Sequence, residues 1–141
     1  MKQILLILFT ALLLTGCKKI IKQTQEQIAE SLILKAMTDG TWVVSVYNDG
    51  TTEFKPEFDT YEFRFYKNYN VDAIKNSATE ITGTWREDVT NLTIASQYGA
   101  NANPTLQRLN GVWKMKDSNW TWVKATQTIN GQLTTLELRK K

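Results

Sequence analysis

The chain of 141 residues has no histidine and a single cysteine. Without histidine there is no imidazole general base, and neither a Ser-His-Asp nor a Cys-His pair can be assembled. A zinc site of Cys and His ligands is excluded with them, and one cysteine cannot close an internal disulfide. Two prolines and seven glycines are too few for a collagenous or proline-rich disordered chain. Neither an Asp-x-Asp-x-Asp-Gly calcium loop nor a glycine-rich phosphate cradle occurs. Glu87 and Asp88 are adjacent at an expected turn and read as solvated, not as an acid–base pair. An enzyme is therefore the weakest of the function classes, with no cofactor and no metal site expected.

Positive charge is modest and unevenly placed. The formal net charge is +3, and Lys18, Lys19, Lys22 and Lys35 precede the first strand against Glu26, Glu30 and Asp39. Anionic headgroups attract such a segment by about 1 kcal/mol per basic residue near a membrane surface. No basic motif interleaved with aromatics supports nucleic-acid binding.

What is present begins with an address. Met1-Lys2-Gln3 is a short positive start, and Ile4 to Leu14 is an almost unbroken apolar run of about 11 residues. A bilayer span takes about 20, so the run suits a signal-peptide core. Leu14-Thr15-Gly16-Cys17 resembles the lipobox of bacterial lipoproteins. The resemblance implies cleavage before Cys17 and acylation there with palmitate-like chains. Several chains make a stable anchor where one does not, since each buried methylene contributes about 0.8 kcal/mol. The plainer alternative is an ordinary signal or short membrane helix, with Cys17 incidental. Lys18 follows Cys17 where some lipoproteins held at the inner membrane carry Asp. No acidic run of the kind that directs surface export follows either. The resemblance thus implies the outer membrane, facing the periplasm.

Residues 1–16 form the expected signal peptide and 17–38 the anchor and a helical stalk. Ile20 to Met37 holds helix formers without Gly or Pro. Ile21, Ile28, Leu32 and Ala36 fall on one stripe, which is expected to pack on the end of the following domain. Asp39-Gly40 is the stop signal.

From residue 39 to 141 the period becomes two. Trp42, Val44 and Val46 alternate with Val43, Ser45 and Tyr47, and Tyr61, Phe63 and Phe65 alternate with Glu62, Arg64 and Tyr66. Further strands are expected around Tyr69–Ala73, Thr79–Arg86, Leu92–Ile94, Leu109–Met115, Trp120–Ile129 and Leu133–Arg139. Asn48-Asp49-Gly50 and Asn130-Gly131 are turn signals. The fold class is all-β: an eight-stranded antiparallel up-and-down barrel preceded by an N-terminal helix. A two-sheet sandwich is the other arrangement that this periodicity allows.

Gly40-Thr41-Trp42 opening the first strand, eight strands in meander order, and Arg139 on the last together resemble the lipocalin-like domain lipoproteins of Bacteroides-type bacteria. These fall within the lipocalin and fatty-acid-binding superfamily. The resemblance implies that Arg139 stacks over Trp42 and closes the base of the barrel. It also implies a cup for a small apolar or amphipathic ligand, bound without catalysis.

Phe63, Phe65, Trp85, Trp113 and Trp122 either line that cup or fill a core. Tyr61, Tyr69 and Lys124 are the polar groups that strand parity places near a ligand. The polar stretch Ser96–Thr105 reads as a mouth, a lid or an ordinary solvated loop. Two function classes follow. One is a membrane-anchored carrier of a small apolar molecule. The other is a structural, interaction or inhibitor module of the cell envelope with a solid core and a protein partner. The interior volume distinguishes them.

Overall fold

The computed structural model describes residues 22–141. The signal segment, Cys17 and Ile21 lie outside the described residues. Helix α1 occupies residues 22–38 and ends at Asp39-Gly40, where Gly40 takes φ 90°. No helix among the described residues is long and apolar enough to cross a membrane.

Eight strands follow: β1 (Trp42–Asn48), β2 (Tyr61–Phe65), β3 (Asn70–Lys75), β4 (Ala78–Asp88), β5 (Thr93–Gln97), β6 (Gly111–Ser118), β7 (Trp122–Ile129) and β8 (Gln132–Lys140). Each pairs antiparallel with the next, and β1 pairs with β8, so the sheet closes into the up-and-down barrel expected and not into a sandwich. A short 3-10 helix (Lys55–Phe58) follows β1, and helix α2 (Pro104–Gln107) lies between β5 and β6. The chain turns from β7 to β8 at Asn130-Gly131, both with positive φ (51° and 80°). This is the backbone that a two-residue hairpin of matching twist needs, and Asn-Gly tolerates it.

Alternation sets the inner face. Tyr61, Phe63 and Phe65 are buried, as are Val71 and Ala73 on β3 and Trp85 on β4. In β1 the pairing with β8 shifts between Val44 and Val46. This bulge reverses the parity beyond it, so Tyr47 is buried and Val46 is not, contrary to unbroken alternation. Gly83 lies where a side chain has no room. A Cβ there would come 2.6 Å from the Gln97 carbonyl oxygen and 2.8 Å from the Tyr98 ring.

Both ends of the barrel are covered. In an up-and-down barrel, the turns after even-numbered strands lie at the end where β1 starts. Helix α1 crosses this base: Met37 is buried, Ile33 and Leu34 pack on the core, and Thr90 in the β4–β5 turn donates to Glu26 at 3.4 Å. The helix therefore packs on the barrel's end as expected, but through a different stripe. Ile28 and Leu32, expected at the contact, are 55% and 48% exposed. At the other end, Phe58, Ala102, Leu106 and Leu109 turn inward from the two long connections.

Candidate functional site

The barrel interior was the expected site, and it is nearly full. Among the described residues, a cavity of about 50 Å³ lies inside the barrel, walled by side chains that include Phe63, Phe65, Val71, Trp113, Val123 and Leu136. Ligand pockets for small molecules run to about 300–1,000 Å³, and an engineered void of about 150 Å³ takes benzene. The cavity thus holds neither an acyl chain nor a ring. Its polar neighbours are Ser96 and Tyr98. Ser96 donates its hydroxyl to the Leu109 carbonyl. Burial raises the pKa of the Tyr98 hydroxyl well above the ordinary tyrosine range, and the charge of Asp72 adds to the effect.

The far end is clamped by a polar and aromatic cap. Tyr47 donates to the Arg108 carbonyl at 2.8 Å and stacks on Phe58 at 5.3 Å. Burial pushes its phenol up to about 12, against the opposing pull of the Arg108 charge. The Arg108 guanidinium lies 3.8 Å from the Phe54 ring centroid and donates to Glu57 at 3.2 Å. Asn103 caps α2 by accepting from the Leu106 N–H at 3.1 Å. Its amide donates to Tyr61 at 2.7 Å and to Glu80 at 2.6 Å. The Ser96–Thr105 stretch is thus no open lid. It leads into a fastened plug.

Sequence reasoning placed some of these residues and misplaced others. Phe63, Phe65 and Trp113 line the cavity. Trp85 packs behind them, edge-on to Phe65 at 5.3 Å, with its indole N–H donating to the Tyr66 carbonyl at 3.1 Å. Trp122 and Lys124 point outward, because Val123 and Ala125 are the buried residues of β7. The exposed lysine was the signal that could have fixed this parity. Tyr61 belongs to the cap, donating to Glu80 at 2.9 Å. Tyr69 sits in the β2–β3 turn with φ 65°, its hydroxyl 3.4 Å from Glu87.

Two charged residues behave differently from the sequence expectation. Arg139 does not stack on Trp42. It pairs in register with Val43 on the outer face, is 56% exposed and bonds Glu137 at 2.8 Å. The cation over Trp42 is Lys140, its ammonium 5.4 Å from the ring centroid and 3.1 Å from Asp39. Trp42 itself is fully buried, and its indole N–H donates to the Met37 carbonyl at 2.9 Å, tying α1 to β1.

Glu87 is not solvated. It points inward from β4 at 7% exposure, with Oε2 buried and without a hydrogen-bond partner. Asp88 does face solvent, and hydrogen bonds from Asn91 lower its pKa. Among the described residues, no group of three or more His, Cys, Asp or Glu is placed to hold a metal ion.

These features define a closed, capped, eight-stranded barrel with a filled interior. Its fold is similar to that of a solved protein, a DUF4847 family protein from Bacteroides vulgatus ATCC 8482. The TM-score is 0.56 at 10% identity, over 77% of this chain and 97% of that one. At that identity the likeness is one of fold. No protein-family model matches the chain, and no curated protein matches it.

Proposed function

We propose that this chain is a lipid-anchored, non-catalytic envelope protein of lipocalin-like kind. Its barrel is a solid body whose outer surface serves a protein partner in the cell envelope. The observation that carries the reading is the interior: a cavity of about 50 Å³ under a fastened cap leaves no room for the cargo of a carrier. Of the two function classes open in the sequence, the interaction module is therefore preferred. The lipobox-like Leu14-Thr15-Gly16-Cys17 supports the anchor. The Bacteroides barrel supports a lipocalin-like fold in a bacterial setting.

Native mass spectrometry after incubation with envelope lipid extract tests the first part. The expected mass is that of the acylated chain alone. A retained apolar species displaced by fatty acids would return the carrier to first place. Cys17→Ser tests the anchor: the variant is expected in the soluble fraction with its barrel folded, and continued membrane attachment would refute it.

A further inference from the structure

Large apolar side chains are exposed mainly at one end of this molecule. Of seven such side chains among the described residues, five lie at the base: Ile28 and Leu32 on α1, Tyr66 after β2, Leu92 between β4 and β5, and Trp120 between β6 and β7. Ile28 and Leu32 lie on the side of α1 opposite Ile33 and Met37, which face the core. They therefore face away from the barrel. Leu92 and Trp120 are 52% exposed at the tips of their turns. Leu92 also has φ 52°, a backbone that disfavours branched side chains and that Asn or Gly adopts more readily. A leucine in strained backbone, held in the open, is the kind of outlier that points to a use.

The length of chain between Cys17 and α1 limits what can cover this end. Cys17 precedes the start of α1 by five residues, which extend at most about 18 Å. A lipid on Cys17 therefore keeps the start of α1 within that distance of the bilayer surface. The charges nearby are mixed, with Lys22, Lys67 and Lys116 against Glu30, Asp88 and Asp117, so a purely electrostatic attraction is not what the face offers. Its outward features are aliphatic groups with a tryptophan and a tyrosine, the aromatics that settle at membrane–water interfaces.

We infer that the helix-covered base is a second membrane contact. In this contact α1 lies along the bilayer surface, Ile28 and Leu32 face it, and Leu92 and Trp120 dip into the interfacial region. The inference rests on the reading of Cys17 as the acylated residue. The barrel then stands on the membrane in a fixed orientation and does not swing on its tether, and its capped end faces away from the lipid.

The test uses the full acylated protein in phosphatidylethanolamine–phosphatidylglycerol vesicles, with single nitroxide labels on Leu92→Cys, Trp120→Cys and, at the opposite end, Leu133→Cys. Labels at 92 and 120 are expected to be relaxed by oxygen more than by a water-soluble nickel chelate, and the label at 133 the reverse. The acyl mass on Cys17 is read from the same samples. If that mass is present and all three labels are equally wet, the docking is overturned while the anchor stands. If Cys17 carries no acyl chain, the anchor reading falls and this inference with it.

Discussion

Replacing Phe65 by alanine measures how tightly the interior is packed. Phe65 is 6% exposed, lines the cavity and meets Trp85 edge-on at 5.3 Å. Removing the ring loses about 1.5–3 kcal/mol of burial and about 0.5–1.5 kcal/mol of aromatic geometry. If the walls stay put, a void of about 80–100 Å³ adds about 2 kcal/mol at about 24 cal/mol per Å³. Partial collapse offsets some of this, so the expected loss is about 3–5 kcal/mol, the range measured for such truncations. For a domain of this size that lowers Tm by at least about 12 °C. Joined to the existing 50 Å³, the new void reaches about the size that binds benzene. Thermal denaturation with and without benzene is the assay. The variant should regain stability with benzene, and the parent should not respond. A Tm near the parent's, or a parent stabilised by benzene, would refute the packed interior. Should Phe65→Ala fail to fold, Phe65→Leu, expected to cost about 1 kcal/mol, keeps the comparison open.

Gly83→Ala is expected to destabilise by about 1–3 kcal/mol through overpacking against the Gln97 carbonyl and the Tyr98 ring, read by urea denaturation. Arg139→Ala should change stability by less than about 0.5 kcal/mol. Lys140→Ala should cost about 1 kcal/mol, because it removes the cation over Trp42; the reverse order would restore Arg139 to the base of the barrel. Alkaline stability should fall through Tyr47, whose folded pKa of about 12 lies above its ordinary 10.0, and through Tyr98, which burial raises further. Between those values the folded chain holds a proton that the unfolded chain gives up, so stability is intact below pH 10 and falls as pH rises towards 12. Tyr47→Phe should lessen that fall in a pH series of melting temperatures, leaving the part that Tyr98 contributes.

Much of the barrel was legible because its signals are local. Tyr61, Phe63 and Phe65 alternate cleanly with polar residues, and Asn130-Gly131 announces its own turn. The misreadings have one physical root: parity is a relation between strands. Nothing within Val43–Tyr47 marks the bulge that buries Tyr47 in place of Val46, because that bulge belongs to the pairing of β1 with β8. Arg139 and Lys140 are neighbours, so a shift of one position exchanges which cation reaches Trp42. Trp122 was drawn inward by its size, against the contrary indication of Lys124. For Glu87 the obstacle was length, since β4 runs to Asp88 and so keeps residue 87 on the inner face. On α1, Ile28 with Leu32 and Ile33 with Met37 are two apolar stripes. Only the barrel decides which of them is covered.

The pairing that closes the ring also sets an order of events. Ser45 on β1 bonds Glu137 on β8, 92 positions later, at 3.0 Å, whereas every other strand pairs with one adjacent in sequence. On its other side, β1 meets β2 at the single register pair Trp42↔Phe63. The first strand therefore has little to hold it until the last one arrives, and loop-closure entropy makes that long-range step the slow one. A chain emerging N-terminus first therefore holds β1 waiting for its main partner until β8 has been made. The strand made first is the strand fastened last.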